Sequence, residues 1–201
     1  MRGTYRKTEH RRRDIVAAGL TVCRAGEGST GLLRKTAAQA GLSEAGVLHH
    51  FAGVGDLLEA ILDRHMAEIF ECAACDRVSG RAKLLCLSDL LDCSLRDPHL
   101  AHLYLTRTSE PGSTANNAQQ ASNAYTDALR ECSRLGFKQC HDEGQLRSGA
   151  DMDAAVEALI SLVHGLQLRA LREPDLNVRA VLETHLGTYL RDGPQMASAA
   201  G

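Results

Sequence analysis

The stretch "AAQAGLSEAGVLHHF", residues 37–51, predicts two short helices joined by a sharp turn. Gly41 ends the first helix, because glycine enters the left-handed backbone conformation without steric cost. Ser43 starts the second helix, because its hydroxyl can accept hydrogen bonds from the free amides of the next turn. The small Ala37 suits the point where the two helices cross, and Val47 anchors the second helix to the first. This spacing predicts a helix-turn-helix, whose second helix lies in the major groove of DNA.

Positive charge is concentrated at the N-terminal end of the chain. Residues 1–53 carry nine Lys or Arg and four Asp or Glu, a net charge of +5. The rest of the chain carries fourteen basic and twenty-one acidic residues, a net charge of −7. A basic segment on an acidic body predicts that only this segment meets a polyanion. We therefore expect residues 1–53 to form a DNA-binding domain, with its motif at about 32–51.

Composition and periodicity predict an all-α fold of about nine helices. The 201 residues include four prolines and no tryptophan, and apolar residues recur at helical spacing along most of the chain. The helix at 82–96 is expected to be central and buried, because leucines surround its whole circumference. Residues 193–201 are expected to form a disordered tail. The helices are expected at 8–24, 32–40, 43–51, 56–76, 82–96, 98–108, 117–142, 151–172 and 176–191.

The sequence offers little support for export, membrane insertion or metal chemistry. No stretch approaches about eighteen uninterrupted apolar residues, and no signal core follows the basic N-terminus, so a cytoplasmic protein is expected. The seven cysteines stand mostly at apolar helical positions and are expected to be reduced core residues. Cys72 and Cys75 form a lone CxxC, which supplies only two metal ligands. We expect a protein without enzymatic activity, cofactor or metal; the alternative is an all-helical metal- or redox-binding protein that uses Cys72 and Cys75.

The motif and its surroundings resemble the DNA-binding region of the tetracycline-repressor (TetR) family of bacterial transcriptional regulators. The stretch "LISLVHGLQLRALREPDL", residues 159–176, is similar to the penultimate helix of one branch of that family. The sequence departs from the family at Leu48 and Val54, where a tyrosine and a lysine commonly contact phosphate. The positions that match are Ala37, Ala40, Gly41, Ser43, His50, Phe51, Leu57 and Leu58, with Leu42 replacing a valine.

The resemblance implies which side chains meet DNA. Arg34 is expected to contact a base or phosphate, and Glu44 is the main candidate to read a base edge, such as cytosine N4. His49 is expected to point toward DNA, whereas His50 packs on its own domain and Phe51 belongs to the core. The predicted DNA-binding residues are Thr30, Arg34, Ser43, Glu44, Ala45, Gly46 and His49, together with Lys7, Arg11, Arg12 and Arg13 for non-specific attraction to phosphate.

The resemblance also implies that residues 54–192 form a ligand-binding and dimerisation domain. The expected protein is a homodimeric repressor that binds double-stranded operator DNA and is released by a small, largely hydrophobic effector. The two last helices are expected to pack against their symmetry mates, with Gly165 permitting a close crossing. The predicted dimer interface contains Leu162, Gly165, Leu166, Leu182 and Leu186. The predicted effector pocket contains Met66, Phe70, Cys86, Leu90, Leu103, Tyr104, Tyr125, Leu129 and Gln167.

Overall fold

The computed structural model describes residues 2–26, 30–109 and 116–191, and the expected tail at 193–201 lies outside these ranges. For residues 2–7, 107–109 and 116–124 the structure describes the backbone but not the side chains. Over the described ranges the chain forms nine α-helices and a single isolated bridge between Leu146 and Leu190, so the all-α prediction is confirmed. The helices are α1 (Arg2–Arg24), α2 (Leu32–Gln39), α3 (Glu44–Leu48), α4 (Val54–Ala73), α5 (Gly80–Leu95), α6 (Pro98–Ser109), α7 (Asn116–Asp142), α8 (Met152–Ala170) and α9 (Val178–Tyr189).

The chain divides into two compact units. The first contains the described residues of Met1–Phe70 and Ser94–Tyr125, and the second contains those of Glu71–Cys93 and Thr126–Gly201. Helix α4 therefore belongs to the first unit up to Phe70 and to the second from Glu71 onward. The expected DNA-binding domain, residues 1–53, lies wholly within the first unit's sequence range, and its boundary at residue 53 stays a prediction.

Close helix packing at Gly19 shapes the core of the first unit. A Cβ atom at Gly19 would lie 2.4 Å from Ile61 Cδ1, so α1 and α4 approach here at a distance that only glycine allows. Leu20, Leu57 and Ile61 are almost fully buried around this contact. Helix α2 packs on α1 in the same unit. These contacts form the apolar base on which the predicted motif stands.

Helix α5 is the buried element of the second unit, as its leucine pattern predicts. Leu84, Leu87, Leu90 and Leu91 have no solvent exposure. At Gly136 of α7, a Cβ atom would lie 2.7 Å from Leu84 Cδ2, so the two helices are in close contact. The burial of leucines on several sides of one helix confirms that α5 is central within this unit.

One expectation about the cysteines is wrong. Cys72, in the last turn of α4, is bonded to Cys93 of α5 in a disulfide with a Cα–Cα distance of 6.3 Å. Cys72 is exposed and not a core residue. Sequence spacing could not reveal this pair, because a disulfide depends on which helix turns approach each other in the folded chain. The remaining five cysteines are free thiols, of which Cys23, Cys75, Cys86 and Cys140 are buried.

The described helices are not membrane spans. None of those in the described part of the chain is both long enough and apolar enough to cross a bilayer.

Candidate nucleic-acid interface

The turn between α2 and α3 has the geometry that its sequence predicts. Gly41 adopts a φ of +65°, the left-handed conformation. Its amide donates to Ala38 O at 3.2 Å, and the Leu42 amide donates to Ala37 O at 2.8 Å. This pair of bonds is the Schellman arrangement, which satisfies the last carbonyls of α2 and reverses the chain. Ala37 is buried at the crossing.

Ser43 caps α3 through its side chain. Its backbone is extended, with φ −81° and ψ 161°, and its Oγ accepts a hydrogen bond from the Gly46 amide at 3.1 Å. This bond satisfies one of the free amides at the helix start. The regular helix ends at Leu48 instead of the expected Phe51, although the Phe51 amide still donates to Val47 O at 3.1 Å. Residues 49–51 thus continue the helical hydrogen bonding as a looser last turn.

The two faces of α3 divide as predicted between core and solvent. Val47 and Phe51 are buried, and Leu48 is 44% exposed. Among the predicted DNA contacts, Thr30, Arg34, Ser43, Glu44, Ala45 and His49 are exposed and Gly46 is half-buried. The first turn of α3 therefore presents small side chains and one carboxylate to solvent, which permits a close approach to base edges.

Arg12 already has partners within its own domain, although its side chain is 38% exposed, and its contact with phosphate stays a prediction. Its Nη1 donates to His50 O at 2.5 Å, and its Nη2 lies 3.2 Å from Asp56 Oδ1. Its guanidinium also lies 4.1 Å from the centroid of the Phe51 ring. Arg12 lies four residues before the buried Val16 and eight before the buried Leu20, over the middle of the buried face of α1. Its role is to fix the end of α3 against α1.

Asp56 completes this connection and was not predicted from the sequence. Besides its ion pair with Arg12, its Oδ2 accepts a hydrogen bond from the Ala52 amide at 2.8 Å. Asp56 lies in the first turn of α4, where a carboxylate also interacts favourably with the helix dipole. The sequence signal that could have predicted this role is an acidic residue in the first turn of a helix, directly after the glycines at 53 and 55. Arg12 and Asp56 together hold α1, α3 and α4 in one arrangement.

The neighbouring basic residues differ from Arg12. Arg11 and Arg13 are exposed, so they remain available to phosphate, while the side chain of Lys7 lies outside the described residues. His50 is half-buried, as expected for a residue that packs on its own domain. Desolvation lowers the pKa of His50, and the nearby charges of His49, Arg11 and Arg12 lower it further. A neutral His50 adds no charge to the surface around Arg11.

A second ionic connection, also unpredicted, lies at the other end of α1. Arg24 Nη2 lies 2.8 Å from Glu68 Oε2 of α4, and its Nε lies 3.0 Å from Asp97 Oδ2 before α6. Arg64 Nε also contacts Glu68, at 3.0 Å. The Arg24 side chain is 42% exposed, so each pair contributes little alone. Because one arginine joins three helices of the same unit, the network orders them relative to one another.

The predicted effector-pocket residues are divided between the two units. Met66, Phe70, Leu103, Tyr104 and Tyr125 belong to the first unit, where the Tyr125 ring meets Phe70 and Tyr104 edge to face at centroid distances of 5.9 and 5.3 Å. Cys86, Leu90, Leu129 and Gln167 belong to the second unit and are buried there. A common pocket for all nine stays a prediction.

The predicted dimer interface is wrong for three side chains. Leu166, Leu182 and Leu186 are buried within the protomer, because they pack inside the second unit and do not reach its surface. Leu162 is half-buried and Gly165 is exposed, with no atom within 4 Å of a Cβ placed on it. The exposed side of α8 and α9 instead carries an apolar groove. Its lining consists of Leu162, Leu176, Asn177, Ala180, Val181, Thr184, His185 and Thr188.

Comparison with known proteins identifies the fold. No protein-family model matches this sequence, and no curated protein matches it. Among solved structures, a TetR transcription regulator from Haloarcula marismortui is similar over 91% of this chain and 100% of that chain, with a TM-score of 0.73 and 19% identity. The triclosan complex of SmeT, repressor of a Stenotrophomonas maltophilia multidrug efflux pump, covers 92% of this chain and 93% of its own (TM-score 0.63, 21% identity).

A third similar structure is NalD, the secondary repressor of the MexAB-OprM multidrug efflux pump in Pseudomonas aeruginosa. It is similar over 92% of this chain and 98% of that chain, with a TM-score of 0.60 and 21% identity. Each of the three likenesses covers more than nine-tenths of this chain. The chain therefore has the all-α fold of the TetR-family transcriptional regulators.

Proposed function

We propose that this protein is a TetR-type transcriptional repressor that binds operator DNA as a homodimer and is released by a small, largely hydrophobic effector. The observation that carries this proposal is the capped, exposed first turn of α3, placed by the Gly41 turn. A short helix with small exposed side chains, fixed against its own domain from the opposite face, is what entry into a major groove requires. The proposed protein acts by binding, without an enzymatic step.

The charge distribution supports DNA as the partner of this surface. The basic segment 1–53 contains the exposed Arg11, Arg13 and Arg34. Such cations attract the phosphate backbone without regard to sequence, and the released counterions make the affinity depend on salt. Glu44 and His49 extend from α3 toward solvent and are the proposed readers of base edges. The role requires access to the chromosome, which in a bacterial cell means the cytoplasm.

A dimer is proposed because one α3 reads too few bases for useful specificity. The exposed groove on α8 and α9 offers an apolar surface that a second copy can cover. Leu168, at 48% exposure, lies three residues after Gly165 and extends the apolar surface along α8. The proposed dimer interface therefore consists of the solvent-exposed side of α8 and α9. Of the residues predicted from the sequence, it includes Leu162 and Gly165.

The effector is proposed from two observations. SmeT, which has a similar fold, has been solved in complex with triclosan, a small apolar molecule. In this chain the first unit contains the aromatic cluster of Phe70, Tyr104 and Tyr125, whose two tyrosines are buried, and such an aromatic interior suits an apolar ligand. Helix α4 follows the DNA-binding motif directly and contributes residues to both units, so we propose that effector binding changes operator affinity through α4.

The test is DNA binding by the purified protein, measured as protection of its own upstream DNA. Arg34→Ala and His49→Ala should each weaken protection of the operator, because each removes a direct contact of about 1 to 3 kcal/mol. Arg172→Ala and His102→Ala change exposed residues of the same types outside the motif and serve as matched controls. Affinity should also fall steeply between low and moderate salt.

Two results would contradict the proposal. If neither Arg34→Ala nor His49→Ala changes affinity while circular dichroism stays helical, the assigned recognition surface is wrong. If the wild-type protein protects no segment of its upstream DNA at low salt, the proposed DNA-binding function is wrong.

A further inference from the structure

The disulfide between Cys72 and Cys93 lies where the chain passes from one unit to the other. The first unit includes the chain up to Phe70 and again from Ser94, so residues 71–93 are an insertion that belongs to the second unit. Cys72 is the second residue of this insertion, and Cys93 is its last. The bond therefore joins the two ends of the insertion.

The same two chain segments are joined again by a single arginine of the first unit. Glu68 lies on α4, four residues before Cys72. Asp97 lies directly before α6, four residues after Cys93. Arg24, the last residue of α1, contacts both carboxylates: its Nη2 lies 2.8 Å from Glu68 Oε2, and its Nε lies 3.0 Å from Asp97 Oδ2. The disulfide and Arg24 thus hold the same pair of segments, one covalently and the other through charge.

The covalent bond favours the contacts of Arg24. An arginine that bridges two carboxylates must hold both of their chain segments at a fixed spacing, which costs conformational entropy. A disulfide four residues away on each segment removes part of this freedom in advance. Arg24 is 42% exposed, so its ion pairs alone hold that spacing weakly. Loss of the disulfide should therefore loosen the connection of α1 to α4 and to the start of α6.

The disulfide is accessible to small thiols from one side. Cys72 is exposed and Cys93 is buried, so a thiol in solution reaches the bond at the Cys72 sulfur. Exposed disulfides exchange with thiols more readily than buried structural ones. In the reducing cytoplasm, where a DNA-binding regulator works, disulfides are mostly transient and catalytic or redox-sensing. The bond between Cys72 and Cys93 has the position and the access that a reversible redox site requires.

We propose that Cys72 and Cys93 form a redox switch, in which the disulfide form of the protein binds operator DNA more tightly than the dithiol form. The switch rests on the proposed DNA-binding function and acts on it through Arg24. In the dithiol form, α1 and α4 are less restrained and must be ordered again when the protein binds DNA. This ordering costs entropy, which lowers the affinity.

The switch operates by thiol–disulfide exchange with a low-molecular-weight thiol, RSH. Its thiolate attacks the Cys72 sulfur, the sulfur–sulfur bond breaks, and Cys93 leaves as a thiolate that takes up a proton. A second RSH, again as its thiolate, attacks the sulfur of the bound RS group and releases the Cys72 thiolate, which is protonated in turn. In sum, the protein disulfide and two RSH give two protein thiols and RSSR. An excess of the small disulfide RSSR drives the same steps in reverse.

The redox state is measured first, on the full-length protein equilibrated with reduced or oxidised glutathione. Of the seven cysteines, five are free in the disulfide form, so the count of free thiols should change from five to seven on reduction. The double variant Cys72→Ala/Cys93→Ala should show five in both buffers. Cys75→Ala is the matched control, because it removes a neighbouring thiol and should still gain two thiols on reduction.

Operator affinity is then measured in the same two buffers. The disulfide form of the wild-type protein should bind about fivefold or more tightly than the dithiol form, the lower end of ordinary coupling between sites. Cys72→Ala/Cys93→Ala should bind like the dithiol form in both buffers, and Cys75→Ala should keep the wild-type difference. Circular dichroism should show that every variant is folded.

The route through Arg24 has its own test. In Arg24→Ala the two redox forms should differ in operator affinity by less than about twofold, the range expected for uncoupled sites, while the thiol count still changes by two. Arg172→Ala, which changes an exposed arginine of α8's C-terminal flank, should keep the full difference. A full difference in Arg24→Ala would overturn the role of Arg24 in the switch.

Two other outcomes separate the switch from the proposed function. If the wild-type protein binds operator with equal affinity in both buffers, or shows the same thiol count in both, the switch is overturned and the proposed DNA-binding function stands. If the wild-type protein binds no upstream DNA in either buffer, the proposed function itself is overturned, and the switch with it.

Discussion

Arg11 and Arg12 are neighbours on α1, yet they have different surroundings. Arg12 contacts His50 O, Asp56 and the Phe51 ring, whereas Arg11 is exposed. From the sequence, both residues are predicted to contact phosphate, because both are basic and precede the helix-turn-helix. Their surroundings differ because Arg12 lies four and eight residues before the buried Val16 and Leu20, over the middle of the buried face of α1, whereas Arg11 lies toward the edge of that face.

Replacing each arginine by alanine should separate the two roles. Arg12→Ala removes a charged hydrogen bond and a cation–π contact, so we expect the free energy of unfolding to fall by about 1 to 2 kcal/mol. Arg11→Ala should leave the free energy of unfolding almost unchanged. It should reduce the slope of log affinity against log salt concentration by about one, which corresponds to one lost phosphate contact. Urea denaturation and binding titrations at several salt concentrations measure both effects. Equal stability of the two variants would show that the Arg12 contacts contribute nothing.

His65 gives the first unit a dependence on pH. Its side chain is 2% exposed on α4, with Nδ1 3.8 Å from Asp97 Oδ2. Burial is the largest cause and lowers the pKa of His65; the charge of Asp97 opposes it, Arg24 lowers the pKa further, and Glu68 raises it least. The folded protein therefore binds this proton more weakly than the unfolded chain. The contribution of neutral His65 to the free energy of unfolding is fully present above about pH 6.5, the pKa of histidine in the unfolded chain. This contribution is lost as the pH falls below that value.

The prediction is that His65→Gln, which cannot titrate, shows a smaller loss of stability on acidification than the wild-type protein. The free energy of unfolding should be measured by urea denaturation between pH 8 and pH 5. His50, His164 and His185 also have lowered pKa values, mainly through desolvation, and they remain in both proteins. The difference between the two curves therefore reports His65 alone. Parallel curves would show that His65 does not contribute to the acid sensitivity.

At the level of helices, the sequence predicted most of the fold. Apolar periodicity placed all nine α-helices, and Gly41 and Ser43 fixed the turn between α2 and α3, because these signals act within a few residues. The contacts of Arg24 with Glu68 and Asp97 were missed, as was the bond between Cys72 and Cys93. These pairs depend on which helix faces approach each other, and one sequence does not contain that information directly.

The contact between α5 and α7 can be tested at Gly136. A Cβ atom there would lie 2.7 and 2.8 Å from two carbons of Leu84 and 3.3 Å from Gly80 O. Gly136→Ala should therefore lower the free energy of unfolding by about 1 to 3 kcal/mol through overpacking. Gly55→Ala is the control, because no atom lies within 4 Å of the added Cβ and alanine favours a helix. An equal or greater stability of Gly136→Ala would mean that Leu84 moves aside without cost.

At the scale of the whole molecule, the predicted dimer interface included apolar residues that are buried inside a single protomer. Leu166, Leu182 and Leu186 have the same helical period as an interface, but they fill the core of the second unit. A periodic stripe shows that one face of a helix is covered and does not show by what. The groove lined by Leu162 and by residues of α9, together with the exposed Gly165 on α8, is the surface that we propose a second copy covers.

Gly165 is the position at which this proposed dimer is most directly tested. Glycine inside α8 costs up to about 1 kcal/mol relative to alanine, and no atom of the protomer occupies the space beside it. A close approach by the partner's helix would explain why no side chain is present. Gly165→Leu should then separate the protomers, giving a helical monomer whose operator affinity falls, since each domain binds without the gain from a linked second site.

Gly165→Ala adds a single methyl group at the same position and controls for the change in helix propensity. Light scattering should find Gly165→Leu monomeric at concentrations where the wild-type protein is dimeric, with Gly165→Ala closer to the wild type. Because the leucine has free space in the protomer, its thermal unfolding at low concentration should match that of Gly165→Ala. A Gly165→Leu protein that stays fully dimeric would place the interface on another surface, and Gly165 would then be an exposed glycine without a role in assembly.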